Sequence, residues 1–417
     1  MMQQLVFLTV FLGLIAGRQP VQLKVPEDTV RVEILLDDNV VANLRSAPWR
    51  TLVDFGPTPL PHRLEARAYD ASGESLGTTM QKINVATPPS DLRIVADDHV
   101  AKLIWADIDA QKPEKIEARL DGAPVDVKGL EIPLPRFTDE RVHLLEVTMK
   151  TASRELEAQL VFGGLFEDVA SAELTAVPVK TSGRAKVDEL HCAARGKDVR
   201  CAGIDDLPAQ VIMVRDPMPN EAATRLELRG ARQGFNTLQG SPITLDGEDR
   251  VNFLWPVGRS GQGSTASMLF FPSRAYVQTD FRILLTRLSF PLTYSSLRYA
   301  DAVAVAGLQV AQSQRPRAVV LIIGKALDDA SRITPEGARE YLARLGVPLY
   351  IWSLVPKQNG TLWGPAVDIS SPERLRSAAE KLRRDLSAQR MLWVEGDHLP
   401  EEVTVTGGGV EAIAKQR

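Results

Sequence analysis

Apolar and polar positions alternate through most of the first 163 residues. Val30-Arg-Val-Glu-Ile34 and Leu64-Glu-Ala-Arg-Ala-Tyr69 put every second side chain on one face, the period of a half-buried strand, and Asp70-Ala-Ser-Gly73 supplies a hairpin turn. Hardly any helical period interrupts them, so the pattern predicts β-sandwiches. Val32-Glu-Ile-Leu-Leu-Asp-Asp38 parallels Ile116-Glu-Ala-Arg-Leu-Asp-Gly122, and His62-Arg-Leu-Glu-Ala66 parallels His143-Leu-Leu-Glu-Val147. The stretch therefore divides into two similar immunoglobulin-like modules, 18–87 and 88–164, joined through Ala86-Thr-Pro-Pro-Ser90. His62 and His143 recur at equivalent strand positions with no acidic or Cys partner at metal spacing, which makes them structural. Residues 165–247 stay strand-rich and form a connecting region.

After residue 248 the rhythm changes. Arg317-Ala-Val-Val-Leu-Ile-Ile323 is apolar without alternation, as a strand buried on both faces must be. Thr334 caps a helix that runs to Gly346, with Pro335 at its first position, and Val347 to Leu354 is the next buried strand. Ser371-Pro-Glu373 repeats the start signal, and Leu375, Ala378, Ala379, Leu382 and Leu386 then make one apolar helical stripe. Met391-Leu-Trp-Val394 completes the alternation. Strand, helix, strand, helix, strand implies right-handed crossovers and a parallel sheet covered by helices over 248–402. Tyr299 to Ala311, rich in Ala and Val all round, reads as a nearly buried helix, and 403–417, with Gly407-Gly-Gly409, as a flexible tail. The fold class is thus multidomain: N-terminal all-β sandwiches followed by a C-terminal α/β, Rossmann-like domain.

Composition narrows the partners. Across 417 residues the formal charge is −4 with both signs mixed throughout, so no basic stripe marks a nucleic-acid or anionic-lipid surface. Met1 to Gly17 carries no charged side chain, and Leu5 to Ala16 is an apolar run too short to span a bilayer. It reads as a signal peptide, 1–17, with Ala16 and Gly17 before a cleavage point at Arg18; an uncleaved short anchor is the alternative. No later segment is long enough to cross a membrane. Cys192 and Cys201 are the only cysteines. A two-residue turn at Gly196-Lys197 sets them opposite one another on a non-hydrogen-bonded pair, where a disulfide fits, and an oxidising compartment closes it. Two buried thiols are the alternative.

Tyr299-Ala-Asp-Ala-Val-Ala-Val-Ala-Gly-Leu308, Arg317 to Ile323, Gly346-Val-Pro-Leu-Tyr-Ile-Trp-Ser353 and Gln389 to Pro400 together resemble the von Willebrand factor A domain, most of all the VWFA-related acidobacterial domain family. The resemblance covers roughly 250–400 and implies a binding or adhesion module on a secreted or periplasmic protein. Many family members hold a divalent cation at the strand ends, beginning with Asp-x-Ser-x-Ser after the first strand. With Val251 to Trp255 as that strand, the matching stretch is Pro256-Val-Gly-Arg-Ser260, and Pro256 replaces the leading Asp. The family's later Thr-Asp-Gly turn matches Gly324-Lys-Ala326 when Asp328 and Ser331 are kept in register, so Lys325 stands in place of that Asp. An ammonium group opposes a hard cation. On this reading Pro256, Gly258, Ser260, Ser296 and Lys325 mark a degenerate metal site. No cofactor is expected, Asp328-Asp329 form a solvated loop pair, and Arg259, Ser260, Lys325 and Asp328 are the candidates for contacting a protein partner.

Enzyme signatures are poor. Gly258-Arg-Ser-Gly-Gln-Gly263 fits neither the nucleophile elbow nor the phosphate loop, and His191 and His398 have no motif around them. The expectation is a noncatalytic extracytoplasmic binding protein of unknown partner. The alternatives are a structural subunit of an envelope assembly, or an extracytoplasmic hydrolase using carboxylates at the sheet edge.

Overall fold

The structure, a computed structural model, describes residues 5–9, 11, 13–85, 90–97, 100–107, 112–135, 143–151, 155–162, 174–181, 183, 185–205, 207–215, 226, 241–256, 275–287, 297–324, 329–355 and 362–415. Its first sandwich has β1 (Val6–Phe7), β2 (Arg18–Lys24), β3 (Arg31–Leu36), β4 (Asn39–Leu44), β5 (Arg50–Asp54), β6 (His62–Tyr69) and β7 (Ser75–Ile83). The sheets run β1-β2-β5 and β4-β3-β6-β7. The alternation seen in the sequence buries Val32, Ile34, Leu64, Ala66 and Ala68 against Val21, Val53 and Phe55. At the predicted turn Asp70 accepts from the backbone of Ser72 and Glu74, each at 2.9 Å. His62 bonds Asp37 at 2.7 Å and the Phe55 carbonyl at 3.1 Å, a structural tie between strands.

The next module has β8 (Ser90–Asp97), β9 (Val100–Asp107), β10 (Lys115–Leu120), β11 (Ala123–Val125), β12 (Glu131–Pro133), β13 (His143–Lys150) and β14 (Glu155–Phe162), in sheets β12-β9-β8 and β11-β10-β13-β14. It is a compact unit of its own, Thr87–Glu173, around Ile132, Leu145, Val147 and Met149. The internal repeat marks equivalent elements: β3 pairs antiparallel with β6 as β10 does with β13, and His62 and His143 each open the second strand of the pair.

From Leu174 the chain follows a course that differs from the expected order. It makes β15 (Leu174–Thr181), β16 (Leu190–Ala194), β17 (Lys197–Val199) and β18 (Cys201–Asp205), then enters a six-stranded sheet. That sheet holds β19 (Gln210–Arg215), β20 (Arg250–Leu254), β21 (Tyr276–Val277), β22 (Arg317–Ile323), β23 (Leu349–Ser353) and β24 (Val367–Asp368), ordered β21-β20-β19-β22-β23-β24. All pairings are parallel except that of β21 with β20. Helices α1 (Phe281–Arg287) and α4 (Pro372–Ser387) cover one face, packing on Val320, Ile322 and Trp352. Helices α2 (Tyr299–Gln312) and α3 (Pro335–Arg344) cover the other, packing on Val319, Leu321 and Ile323. The Thr334 hydroxyl caps α3 by accepting from Gly337 N, the Ser371 hydroxyl caps α4 by accepting from Arg374 N, and the five-residue stripe of α4 is buried.

The chain then returns as β25 (Gln389–Glu395), β26 (Val403–Gly407) and β27 (Val410–Ala412). These join sheets β18-β25-β15-β27 and β17-β16-β26, a third sandwich around Val177, Val179, Leu392, Val394 and Val403. Three expectations are corrected here. The α/β sheet opens at β19 and not at residue 248. Met391 to Val394 lies antiparallel between β15 and β18 and is no part of the parallel sheet. The stretch 403–417 is no loose tail through Ala412, because β26 and β27 pair with β16 and β15, Gly407 to Gly409 turn the chain between them with φ of 91°, 57° and 64°, and a Cβ on Gly407 would lie 2.3 Å from the Glu189 carbonyl oxygen. A short apolar run reads the same whichever sheet receives it, so its pattern cannot assign it.

Cys192 and Cys201 do form a disulfide. The hairpin register is shifted, however: Arg195 and Gly196, at φ 53° and 74°, make the turn, and Cys192 faces Val199. Two adjacent positive φ values define the hairpin turn that suits Gly at its second position, which Gly196-Lys197 would not provide. Cys201 therefore lies past the hairpin, in the facing sheet, and the bridge staples the two sheets of the third sandwich.

Candidate functional site

In chain order the parallel sheet reads 3-2-1-4-5-6, a doubly wound order whose switch point lies between β19 and β22. Ligands of such sheets settle outside the carboxyl ends of the strands at that point, where neighbouring loops diverge. Helices α2 and α3 start from this edge. The Asp329 carboxylate accepts from Tyr299 N at 2.9 Å and Ala300 N at 3.1 Å, and from Ser331 N at 3.0 Å and Ser331 Oγ at 2.5 Å. It caps α2 from the far side of the β22–α3 connection, so Asp329 is a helix cap and not a solvated loop residue. Asp301, buried in the first turn of α2, accepts from Arg332 N and Ile333 N, both at 3.1 Å, and pairs with Arg298.

Arg215 ends the first parallel strand with a side chain only 4% exposed. Its guanidinium donates to the Leu284 and Leu285 carbonyls in the last turn of α1 and lies 5.2 Å from the centre of the Trp255 ring. A buried cation is thus fixed beside the switch point, held by a helix carboxyl end and an aromatic face. Nearby, Asp280 binds Arg282 through 2.6 Å and 3.0 Å contacts; burial pushes this carboxyl upward, but the arginine outweighs it and holds it below the usual range.

The topology overturns the strand assignment on which three of the candidate positions, Pro256, Gly258 and Ser260, rested. Val251 lies in β20, the second strand, so Pro256 is not where the leading Asp of the family motif belongs; Pro256 is buried and its carbonyl accepts from Arg298 N at 2.8 Å. If the motif of the resemblance is counted from β19 instead, it falls in the sequence on Asp216-Pro-Met-Pro-Asn220, with an acid at its first position and Met218 and Asn220 at the two hydroxyl positions. Asp216 to Asn220 lie outside the described residues, as do Gly258, Arg259, Ser260, Ser296, Lys325 and Asp328. β22 ends at Ile323, two residues before Lys325 in the sequence.

A hard divalent cation requires several oxygen ligands. Among the described residues this edge presents a buried guanidinium and two carboxylates, Asp301 and Asp329, whose oxygens are engaged by backbone N–H groups, Arg298 and Ser331. No group of three or more His, Cys, Asp or Glu among the described residues is placed to hold a metal. The described donor set does not fit one. The roles of Arg215, Asp301 and Asp329 escaped sequence reasoning for different reasons. Arg215 was visible as a charge closing an apolar run, whereas Asp301 and Asp329 act on residues about 30 positions away, a separation no local pattern signals.

No protein-family model and no curated protein matches this chain. Among solved structures it is similar to the central fibronectin-III array of RIM-binding protein, at 12% identity over 46% of this chain and 78% of that one, with a TM-score of 0.21. It is similar to the fibronectin(III)-like modules of Clostridium thermocellum CbhA, at 13% identity over 39% and 94%, with a TM-score of 0.16. A β-glycosidase from Bacteroides vulgatus shares 14% identity over 38% of this chain and 24% of that one, with a TM-score of 0.23. No described helix is long and apolar enough to cross a membrane.

Proposed function

We propose that this chain is an extracytoplasmic, noncatalytic protein-binding protein. In this reading its α/β domain is a von Willebrand factor A-like module with a degenerate metal site, and it presents the loops at the β19–β22 switch point to a partner. The observation that carries the reading is the sheet itself: a doubly wound order with buried Arg215 at the end of β19, beside the switch point, and Lys325 two residues beyond the end of β22 in the sequence. Fixed positive charge at a strand-end crevice suits a carboxylate of a partner better than a bound cation. Export is supported by the apolar leader-like run and by the disulfide, which belongs to an oxidising compartment.

The test is capture of envelope proteins on the immobilised full chain. A partner should be retained in EDTA and lost when Lys325 is changed to Ala. Loss in EDTA, with retention by Lys325→Ala, would contradict the proposal. Turnover of an ester, peptide or glycoside panel would favour a hydrolase instead, and a large homogeneous assembly in light scattering a structural subunit.

A further inference from the structure

The apolar run at the amino end, read from the sequence as a leader, is seated in the first sandwich. Leu5 is 4% exposed, and Phe7, Phe11 and Ile15 pack on the same core, while Val6 and Leu8 face outward. β1 pairs with β2 through Val6↔Lys24 and Phe7↔Leu23, and Leu8 N continues the ladder to the Gln22 carbonyl at 2.8 Å. The Phe11 ring meets Phe55 edge-on at 5.4 Å. Gly77 lies under Leu5, its missing Cβ 3.9 Å from the leucine Cβ.

Asn84 is the most telling contact. Its buried carboxamide accepts from Ile15 N at 2.6 Å and donates to the Ile15 carbonyl at 2.7 Å, so one side chain reads both backbone groups of a single residue. The same amide donates to the Leu60 carbonyl at 2.8 Å. Cleavage between Gly17 and Arg18 would remove β1 from the edge of β2, which keeps β5 on its other side, and leave both the Asn84 oxygen and the Phe55 ring facing a vacated apolar channel. An edge strand and a buried carboxamide that have lost their partners are a template for another extended chain.

We infer that the channel bounded by β2, Phe55, Gly77 and Asn84 is a strand-acceptor site. In the chain processed before Arg18 it takes an extended segment of a different protein, with large apolar side chains at alternate positions. The present occupant gives the chemistry: inward Leu5, Phe7 and Phe11, outward Val6 and Leu8. A second processed copy has lost the same segment and cannot supply it. The identity of the occupant rests on the export reading; the acceptor channel does not.

The probe is a synthetic peptide of residues 5–17 with a solubilising lysine tail, titrated into the chain that begins at Arg18. One-to-one saturable binding and a raised melting temperature are expected, with no binding to the full chain, whose channel is filled. A Leu8→Lys peptide should bind equally well and a Phe11→Asp peptide should not. Asn84→Asp, which tolerates the φ of 58° at this position but turns a donor into an acceptor, should weaken binding at least about tenfold. If the Arg18 chain does not fold, a protease site placed between Gly17 and Arg18 of the full chain and cut after folding supplies the same complex, and the labelled peptide should exchange into it. Equal binding of both peptide variants, equal binding to the full chain, or no binding and no exchange overturns the acceptor site. Intact mass of the native protein tests the processing separately: retention of residues 5–17 sinks the export reading and leaves the peptide result standing.

Discussion

Arg317 opens the central strand of the α/β sheet and is buried, with backbone carbonyls and no carboxylate as the partners of its guanidinium among the described residues. Its guanidinium donates to the Ala311 carbonyl at 3.1 Å and the Leu345 carbonyl at 2.9 Å, so it closes the carboxyl ends of α2 and α3 together. Burial lowers its pKa to about 10, still high enough to keep the charge that two helix ends favour. Arg317→Met should therefore cost about 3 kcal/mol in urea unfolding, through orphaned carbonyls and not through lost volume. The arginine was legible as the start of a buried strand, but its socket was not, because the accepting carbonyls belong to helix ends brought together only by the fold. The cysteines show the same limit. Their pairing could be read from the sequence, whereas the bridged sheets depended on whether Arg195 or Gly196 began the turn.

Local signals with their own chemistry located α3 and α4 well, while α1 carried no such signal. Thr334 and Ser371 cap where their side chains predicted, and the buried stripe of α4 follows its 3.6-residue period. Strand membership was the weak point, since β19, β20 and β25 are all short apolar runs and differ only in their neighbours. Helix–helix contact adds one requirement the pattern did not display. Gly307 in α2 faces Leu342 of α3, and a Cβ there would come within 2.5 Å of Leu342 Cδ1 and 2.8 Å of its Cγ. Alanine normally favours a helix interior over glycine by about 1 kcal/mol. Here the fully buried Leu342 has no room to yield, so Gly307→Ala should lower stability by about 1–3 kcal/mol, a reversal of sign that thermal unfolding would detect.

Across the whole molecule the chain divides into Thr87–Glu173 and a unit that joins Met1–Ala86 to Leu174–Arg417. The sequence repeat implied two similar modules, 18–87 and 88–164, which as independent spacers would meet the rest of the chain only through linkers. The second unit gives the first sandwich a different standing. Arg63 meets Glu402 at 2.6 Å with both side chains 6% exposed, the buried Tyr341 hydroxyl donates to the Asn84 carbonyl at 2.9 Å, and Leu60 and Val85 pack against the α2–α3 core. Such contacts join residues more than 200 positions apart, beyond what alternation or a linker can reveal. The fragment 174–417 should unfold at lower urea than the full chain, while 87–173, which has its own core, should fold by itself. Equal midpoints for the fragment and the full chain would restore the independent-spacer arrangement.

The central claim, a binding crevice that works through fixed positive charge and not through a cation, is tested most directly by titration calorimetry of Mg²⁺, Mn²⁺ and Ca²⁺ into the full chain. Buried Arg215, the engaged carboxylates of Asp301 and Asp329, and the Met218, Asn220 and Lys325 positions together predict no site tighter than about millimolar. A micromolar site abolished by Asp216→Ala would contradict that claim.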